Sequence, residues 1–251
     1  MPRYYLITSK TAIVFWLSIF LCAGTYKAHA AGEGMELNPK VVLIGASYAE
    51  DWPIDRISAD YAVLNVGVGG QESSEMLQRF ETDVVSHAPT AVIIWGFIND
   101  FFRSSQNDTE RTKSEIKANF VSMIEIAKVN GIQPIVVTEV TMGMEEGLAE
   151  TIKRWIGSIR GKRSYQDRIN SQVREVNGWL RVYAEQEGLV VLDFERALYG
   201  DDGERNSRYS QDDGSHISPA GYEALSEFAT PVLLGGIGLV ESNEPDKPGP
   251  G

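Results

Sequence analysis

Val41-Val42-Leu43-Ile44 is a continuous apolar run closed by Gly45, and Ala46-Ser47-Tyr48 follows it directly. Four apolar residues in a row, without polar alternation, predict a strand buried on both faces, as in parallel sheets. Four similar runs follow: Ala62-Val63-Leu64-Asn65-Val66, Ala91-Val92-Ile93-Ile94-Trp95, Pro134-Ile135-Val136-Val137-Thr138 and Leu189-Val190-Val191-Leu192. Between them, apolar residues recur at helical spacing. Met76, Leu77, Phe80 and Val84 share one face, and Ile116, Phe120, Ile124 and Ala127 make a stripe that stops at Gly131. Ile169, Val173, Val176, Leu180 and Ala184 make a third, which stops at Gly188. Ser218-Pro219 supplies an N-cap and a first-turn proline for a last helix carrying Leu225, Phe228 and Leu233. Strands alternating with helices predict an α/β domain, a three-layer α/β/α sandwich with a five-stranded, mainly parallel sheet. No internal repeat or second domain is evident.

The 251 residues suit one domain with a full core. The net charge of −12 disfavours a nucleic-acid partner, because an acidic surface repels phosphate backbones. At the N-terminus Arg3 and Lys10 precede the apolar run Thr11–Gly24, which leads to Ala28-His29-Ala30. A positive start, a short apolar stretch and an A-x-A exit predict a signal peptide over residues 1–30 and an exported, periplasmic or secreted protein starting at Ala31. The competing reading is an uncleaved anchor, but the apolar run is short of the roughly 20 residues needed to span a bilayer. A lipid anchor at Cys22 is disfavoured by Leu21, where a small residue is needed. Cleavage after Ala30 removes Arg3, Lys10 and Lys27 and no acid, taking the charge from −12 to −15. It also removes Cys22 and His29, leaving no thiol and only His87 and His216. Thiol catalysis, a disulfide framework and a three-histidine zinc site are then excluded within one chain. Residues 31–240 form the domain, and 241–251, with three prolines, read as a frayed tail.

In parallel sheets the active site lies beyond the carboxyl ends of the strands. The first apolar run ends at Ser47, the second runs into Asn65-Val66-Gly67-Val68-Gly69-Gly70, and the third ends in Gly96-Phe97-Ile98-Asn99-Asp100. Asp213-Gly214-Ser215-His216 stands near the C-terminus. These are the parts for acyl transfer by a serine. A hydroxyl needs a neighbouring base, and the base needs a carboxylate that fixes its tautomer and stabilises the imidazolium. Asp213, three residues before His216, can reach its Nδ1; His87 has no such neighbour and reads as a helix end. An oxyanion needs donors already aimed at it. The Ser47 N–H, a glycine N–H after the second strand and the Asn99 amide are the candidates, the glycine because a residue without Cβ lets backbone approach closely. No metal or organic cofactor is required.

In order along nearly the whole expected mature chain, these four blocks resemble the SGNH, or GDSL-type, hydrolase superfamily. Gly45-Ala46-Ser47 matches the first block, Asn65-x-Gly67-x-Gly69-Gly70 the second, Asn99-Asp100 the third and Asp213-x-x-His216 the last. The resemblance implies a flavodoxin-like sheet, with Ser47 as nucleophile, His216 as base, Asp213 as its orienting carboxylate, and Ser47, Gly70 and Asn99 as the oxyanion hole. It also implies a small-molecule, glycan or lipid ester as substrate; the signal-peptide reading adds that no stable membrane insertion is expected after cleavage. Two departures stand out. The family's usual aspartate before the serine is Ala46, and Gly96 and Asn99 are separated by two residues rather than one.

Other readings fit less well. Gly45-x-Ser47-x-Ala49 nearly matches the nucleophile elbow of α/β-hydrolases, but the serine follows the first strand and Asp213 and His216 share one loop. The Gly67-x-Gly69 run lacks the third glycine of a dinucleotide fingerprint. Asp51, Glu139 or Asp193 offers carboxylates for a glycosidase pair, as any acidic chain does. An acyltransferase acting on a glycan and an inactive binder of the same fold remain open alternatives. Met142–Tyr165 is a long connection, and Thr151–Gln166 carries five basic residues and no acid. Leu148, Ile152, Trp155 and Ile159 fall at helical spacing. The segment reads either as a docked helix with a solvated basic face or as a lid that attracts anionic substrates.

Overall fold

The computed structural model describes residues 40–54, 62–143 and 156–237, with side chains from Tyr165 onward in the last stretch. The leader at 1–30, the tail at 241–251 and the basic, amphipathic stretch up to Trp155 lie outside the described residues. Among the described residues, β1 (Lys40–Gly45), β2 (Ala62–Asn65), β3 (Ala91–Trp95), β4 (Gln133–Val137) and β5 (Val190–Leu192) form one sheet in the order β2-β1-β3-β4-β5. All four pairings are parallel, with Val42 opposite both Leu64 and Val92, Ile93 opposite Ile135, and Val136 opposite Val191. The expected five-stranded parallel α/β architecture is borne out. Burial follows position: β3 is buried throughout and β1 from Val41 onward, while the edge strands β2 and β5 are half-exposed. Central strands have helices over both faces, so every residue needs to be apolar; edge strands tolerate Asn65 and Ala62.

The helices α1 (Ser47–Glu50), α2 (Ser73–Asp83), α3 (Ile98–Arg103), α4 (Thr109–Val129), α5 (Ile156–Glu187), α6 (Phe194–Ala197) and α7 (Pro219–Gly236) cover the sheet. The stripes of α4 and α5 are wholly buried, and both helices stop short of Gly131 and Gly188. The α7 start follows its sequence signal, Ser218 Oγ accepting from the Gly221 N–H at 3.2 Å. Phe228 is a correction. Leu225, Ala229 and Leu233 form the buried stripe of α7, while Phe228 is 37% exposed and meets Phe194 edge-on. The start of the long helix is a second correction: α5 begins at Ile156, so Ile156–Tyr165, expected in the connection before that helix, forms its first turns.

Two groups of helices contact one another, α2 with α4 and α4 with α5, and α6 with α7. α1 is tied to the second: Trp52 Nε1 donates to Ser226 Oγ at 3.0 Å and Tyr222 OH to the Tyr48 carbonyl at 3.2 Å. Beneath α1, Trp52, Trp95 and Phe194 meet edge-to-face at 5.0–5.8 Å. Buried aromatics in these arrangements contribute beyond their area. They make a stiff floor at the end of β1, where Ser47 sits.

Candidate active site

Ser47 is the first residue of α1, at the carboxyl end of β1. A cavity of about 470 Å³ opens there, its lining including Ser47, Gly70, Ile98, Asn99, Phe102 and His216. Four chain segments far apart in sequence thus meet at one opening. His216 Nδ1 is 2.5 Å from Asp213 Oδ2, and Asp213 Oδ1 accepts from the N–H groups of Ser215 and His216 at 2.8 and 2.9 Å. Burial works to raise the Asp213 carboxyl, but the bonds from the His216 ring and the two backbone N–H groups outweigh it and hold it below the usual range. Among the described residues no hydrogen bond joins Ser47 to His216. Such bonds are often long without substrate and tighten in the complex. His87 ends the 3₁₀ turn Val85–His87, is exposed, and does not line the cavity.

The glycine loop is braced from both sides. Asn65 Nδ2 donates to the Ala49 carbonyl at 2.7 Å, while its Oδ1 accepts from the Gly67 N–H at 2.9 Å, clasping the loop to α1. Arg103 Nη2 donates to the Gly70 carbonyl at 2.6 Å. Close approach is not what requires glycine at position 70. A Cβ there would meet only Arg103 Nη2, at 3.8 Å; its φ of +78° is what side chains rarely adopt. The close approach occurs at Gly67, where a Cβ would fall 2.4 Å from the Glu50 nitrogen.

Asn99 Nδ2 donates to the Gln71 carbonyl at 2.9 Å, which leaves its second amide hydrogen free of that bond. The loop leading to it rests on two buried carboxylates. Glu139 Oε2 accepts from the Phe97 and Ile98 N–H groups at 2.7 and 3.2 Å, and Oε1 from Val140 at 3.0 Å. Asp100 accepts from the Ser73 N–H at 2.9 Å and Ser73 Oγ at 2.6 Å, tying α3 to the start of α2. Burial raises Glu139 to about 7 and Asp100 to about 6, against the hydrogen bonds that lower both. Glu139 is therefore a structural brace. Asp193, a half-buried carboxylate that the sequence also offered for a glycosidase pair, is taken by Arg181 at 2.6 Å. Sequence reasoning also passed over Tyr48 and Arg205. Tyr48 OH donates to the Ser215 carbonyl at 2.7 Å, and Arg205 is buried behind the same loop. A lone buried arginine leaves no periodic trace in a sequence.

The sequence model of the GDSL-like lipase/acylhydrolase family matches residues 43–224, which spans all four blocks. The chain belongs to this family. Its fold resembles that of a proposed acylhydrolase of Bacteroides fragilis, at 25% identity and TM-score 0.62, over 80% of this chain and 88% of that one. It also resembles a catalytic mutant of the acetylxylan esterase Axe2 of Geobacillus stearothermophilus, at 17% identity and TM-score 0.55, over 78% and 94% of the two chains. A 76-residue stretch is 33% identical to the uncharacterized lipoprotein YqeF of Bacillus subtilis. That match covers 30% of this GDSL-type chain and 31% of YqeF, so the chain aligns with about a third of its curated relative.

Proposed function

We propose that the protein is an exported serine esterase that cleaves short acyl or O-acetyl esters through an acyl-enzyme. The observation that carries this reading is the cavity that Ser47, Gly70 and Asn99 share with a His216 backed by Asp213. Ser47 Oγ attacks the ester carbonyl carbon while His216 Nε2 takes the hydroxyl proton. Asp213 holds Nδ1–H and stabilises the imidazolium. The oxyanion accepts from the Ser47 N–H, the Gly70 N–H and the second hydrogen of Asn99 Nδ2. Each such donor is worth on the order of 3 kcal/mol to the barrier. Collapse expels the alcohol, which takes the proton back from His216. Water then attacks the acyl-serine by the same route, releasing the carboxylic acid.

Ile98 and Phe102 are the apolar side chains beside Asn99 in the cavity lining, and a space of about 470 Å³ suits a small acyl group better than a long chain. The acetyl esters named for Axe2 are of that size. Export rests on the leader ending at Ala30. A fluorophosphonate should label Ser47, and Ser47→Ala should abolish both labelling and p-nitrophenyl acetate turnover, with rates falling from acetyl to palmitoyl. Undiminished turnover by Ser47→Ala ends the hypothesis. Intact mass of the exported protein should start at Ala31, and a chain retaining Met1–Ala30 refutes cleavage.

A further inference from the structure

We infer that Arg205, together with Tyr48, is a positioning residue that sets the Asp213–His216 loop by an ion pair relayed through two peptide units. Arg205 is 4% exposed, and no carboxylate lies within ion-pair distance of it among the described residues. Its donors go instead to the loop. Nη2 reaches the carbonyls of Gly214 and His216 at 3.1 and 3.0 Å, and Nη1 that of Ser215 at 3.0 Å; Nε is held by Ser210 Oγ at 2.8 Å.

The Gly214 carbonyl and the Ser215 N–H belong to one peptide unit, and the Ser215 carbonyl and the His216 N–H to the next. Both carbonyls accept from Arg205, and both N–H groups donate to Asp213 Oδ1. Each planar unit therefore lies with its negative end on the guanidinium and its positive end on the carboxylate. The guanidinium and the carboxylate hold the loop between them without touching. Tyr48 adds the link to the nucleophile. It is the next residue after Ser47, its hydroxyl shares the Ser215 carbonyl with Arg205, and its ring stands edge-on to His216 at 6.3 Å. Burial raises the Tyr48 phenol to about 12, so it stays a donor across the working range.

The inference rests on the Ser-His-Asp reading, so its test carries a readout that needs no turnover. Tyr48→Phe keeps the ring and removes one bond; kcat should fall about 5-fold with KM little changed. Arg205→Lys cannot fork to three carbonyls, and a loop misplaced by about 1 Å should lower kcat about 100-fold. In both variants the downfield proton resonance of His216 Nδ1–H should shift or broaden, with the thermal transition confirming a folded chain. Arg205→Ala should regain activity with added guanidinium and not with sodium chloride. A cavity of about 590 Å³ lined by Gly143, Arg205, Asn206 and Ser207 offers the way in. Folded Tyr48→Phe and Arg205→Lys proteins with wild-type kcat and an unshifted proton signal overturn the inference. Turnover by Ser47→Ala would instead remove the catalytic reading, and the proton signal would still report whether Arg205 and Tyr48 hold the loop.

Discussion

Replacing Glu139 by glutamine should cost stability in acid and recover it relative to the wild type as pH rises. Glu139 is fully buried, and burial raises its carboxyl from 4.5 to about 7 despite three backbone N–H donors. A folded-state pKa above the unfolded one means that stability is fully present below the unfolded value and is lost as pH rises through the folded value. The window runs from about pH 4.5 to about pH 7. At 1.36 kcal/mol per unit, ionising this one group costs about 3 kcal/mol by pH 8. Glutamine can keep its carbonyl oxygen on the Phe97 and Ile98 N–H groups but sets an NH2 donor against the Val140 N–H, so Glu139→Gln should lie about 1–3 kcal/mol below the wild type at pH 4.5 and gain about 3 kcal/mol on it by pH 8. Urea unfolding of both proteins across this range reads the difference directly, since Asp100 and Asp213 contribute equally to each. Parallel curves, with a constant gap at every pH, would show that Glu139 does not change its charge on folding and would refute the argument.

Asp100→Ala removes the acceptor of two Ser73 donors and should cost about 2–3 kcal/mol in unfolding free energy, with a smaller loss of kcat as α3 loosens. Asp213→Asn turns an amide toward His216 Nδ1 and selects the wrong tautomer; kcat should fall about 10⁴-fold at little change in KM, and a fall under tenfold would remove Asp213 from the triad. Asn99→Ala should lower kcat about 10²–10³-fold with KM held, read from the same p-nitrophenyl acetate assay.

How legible the molecule was in its sequence differs between fold and site. β1, β3 and β4 were plain because strands covered on both faces must be apolar at every residue, and the stripes of α4 and α5 because one helical face must be. Phe228 misled because apolarity alone does not say which way a side chain turns on an amphipathic helix; Leu225, Ala229 and Leu233 keep the i, i+4 spacing and leave it aside. The candidate residues at the strand ends could be named because acyl transfer demands a serine, an imidazole and a carboxylate, and the sequence has few imidazoles to offer. Arg205, Glu139 and Asp100 were not legible as braces. Their partners are mostly backbone N–H groups and carbonyls, which every residue carries, so nothing in the sequence marks the pairing.

The two departures from the family pattern have separate physical accounts. Ala46 caps α1 without a side-chain hydrogen bond and is 4% exposed, packed where a Cβ on Gly96 would come within 3.2 Å of its own. Asn65 and the aromatic floor hold α1 in this chain. The additional residue before Asn99 is absorbed at Gly96 and Phe97. Gly96 takes φ +144°, open to glycine, and turns the chain so that Phe97 drops its ring against Phe101 and Phe120. That turn leaves the Phe97 and Ile98 N–H groups pointing inward, where two unmet donors would cost about 1–3 kcal/mol each. Glu139 Oε2 meets both. The longer loop and the buried glutamate thus belong together: a carboxylate costly to bury is the acceptor that lets the lengthened turn hold Asn99 at the cavity. A variant that shortens the loop by deleting Phe97 should accordingly make Glu139 a liability, and adding Glu139→Leu to it should restore stability that the same change removes from the wild type. Denaturation of the four proteins of that cycle measures the coupling, and additive effects would separate the glutamate from the turn.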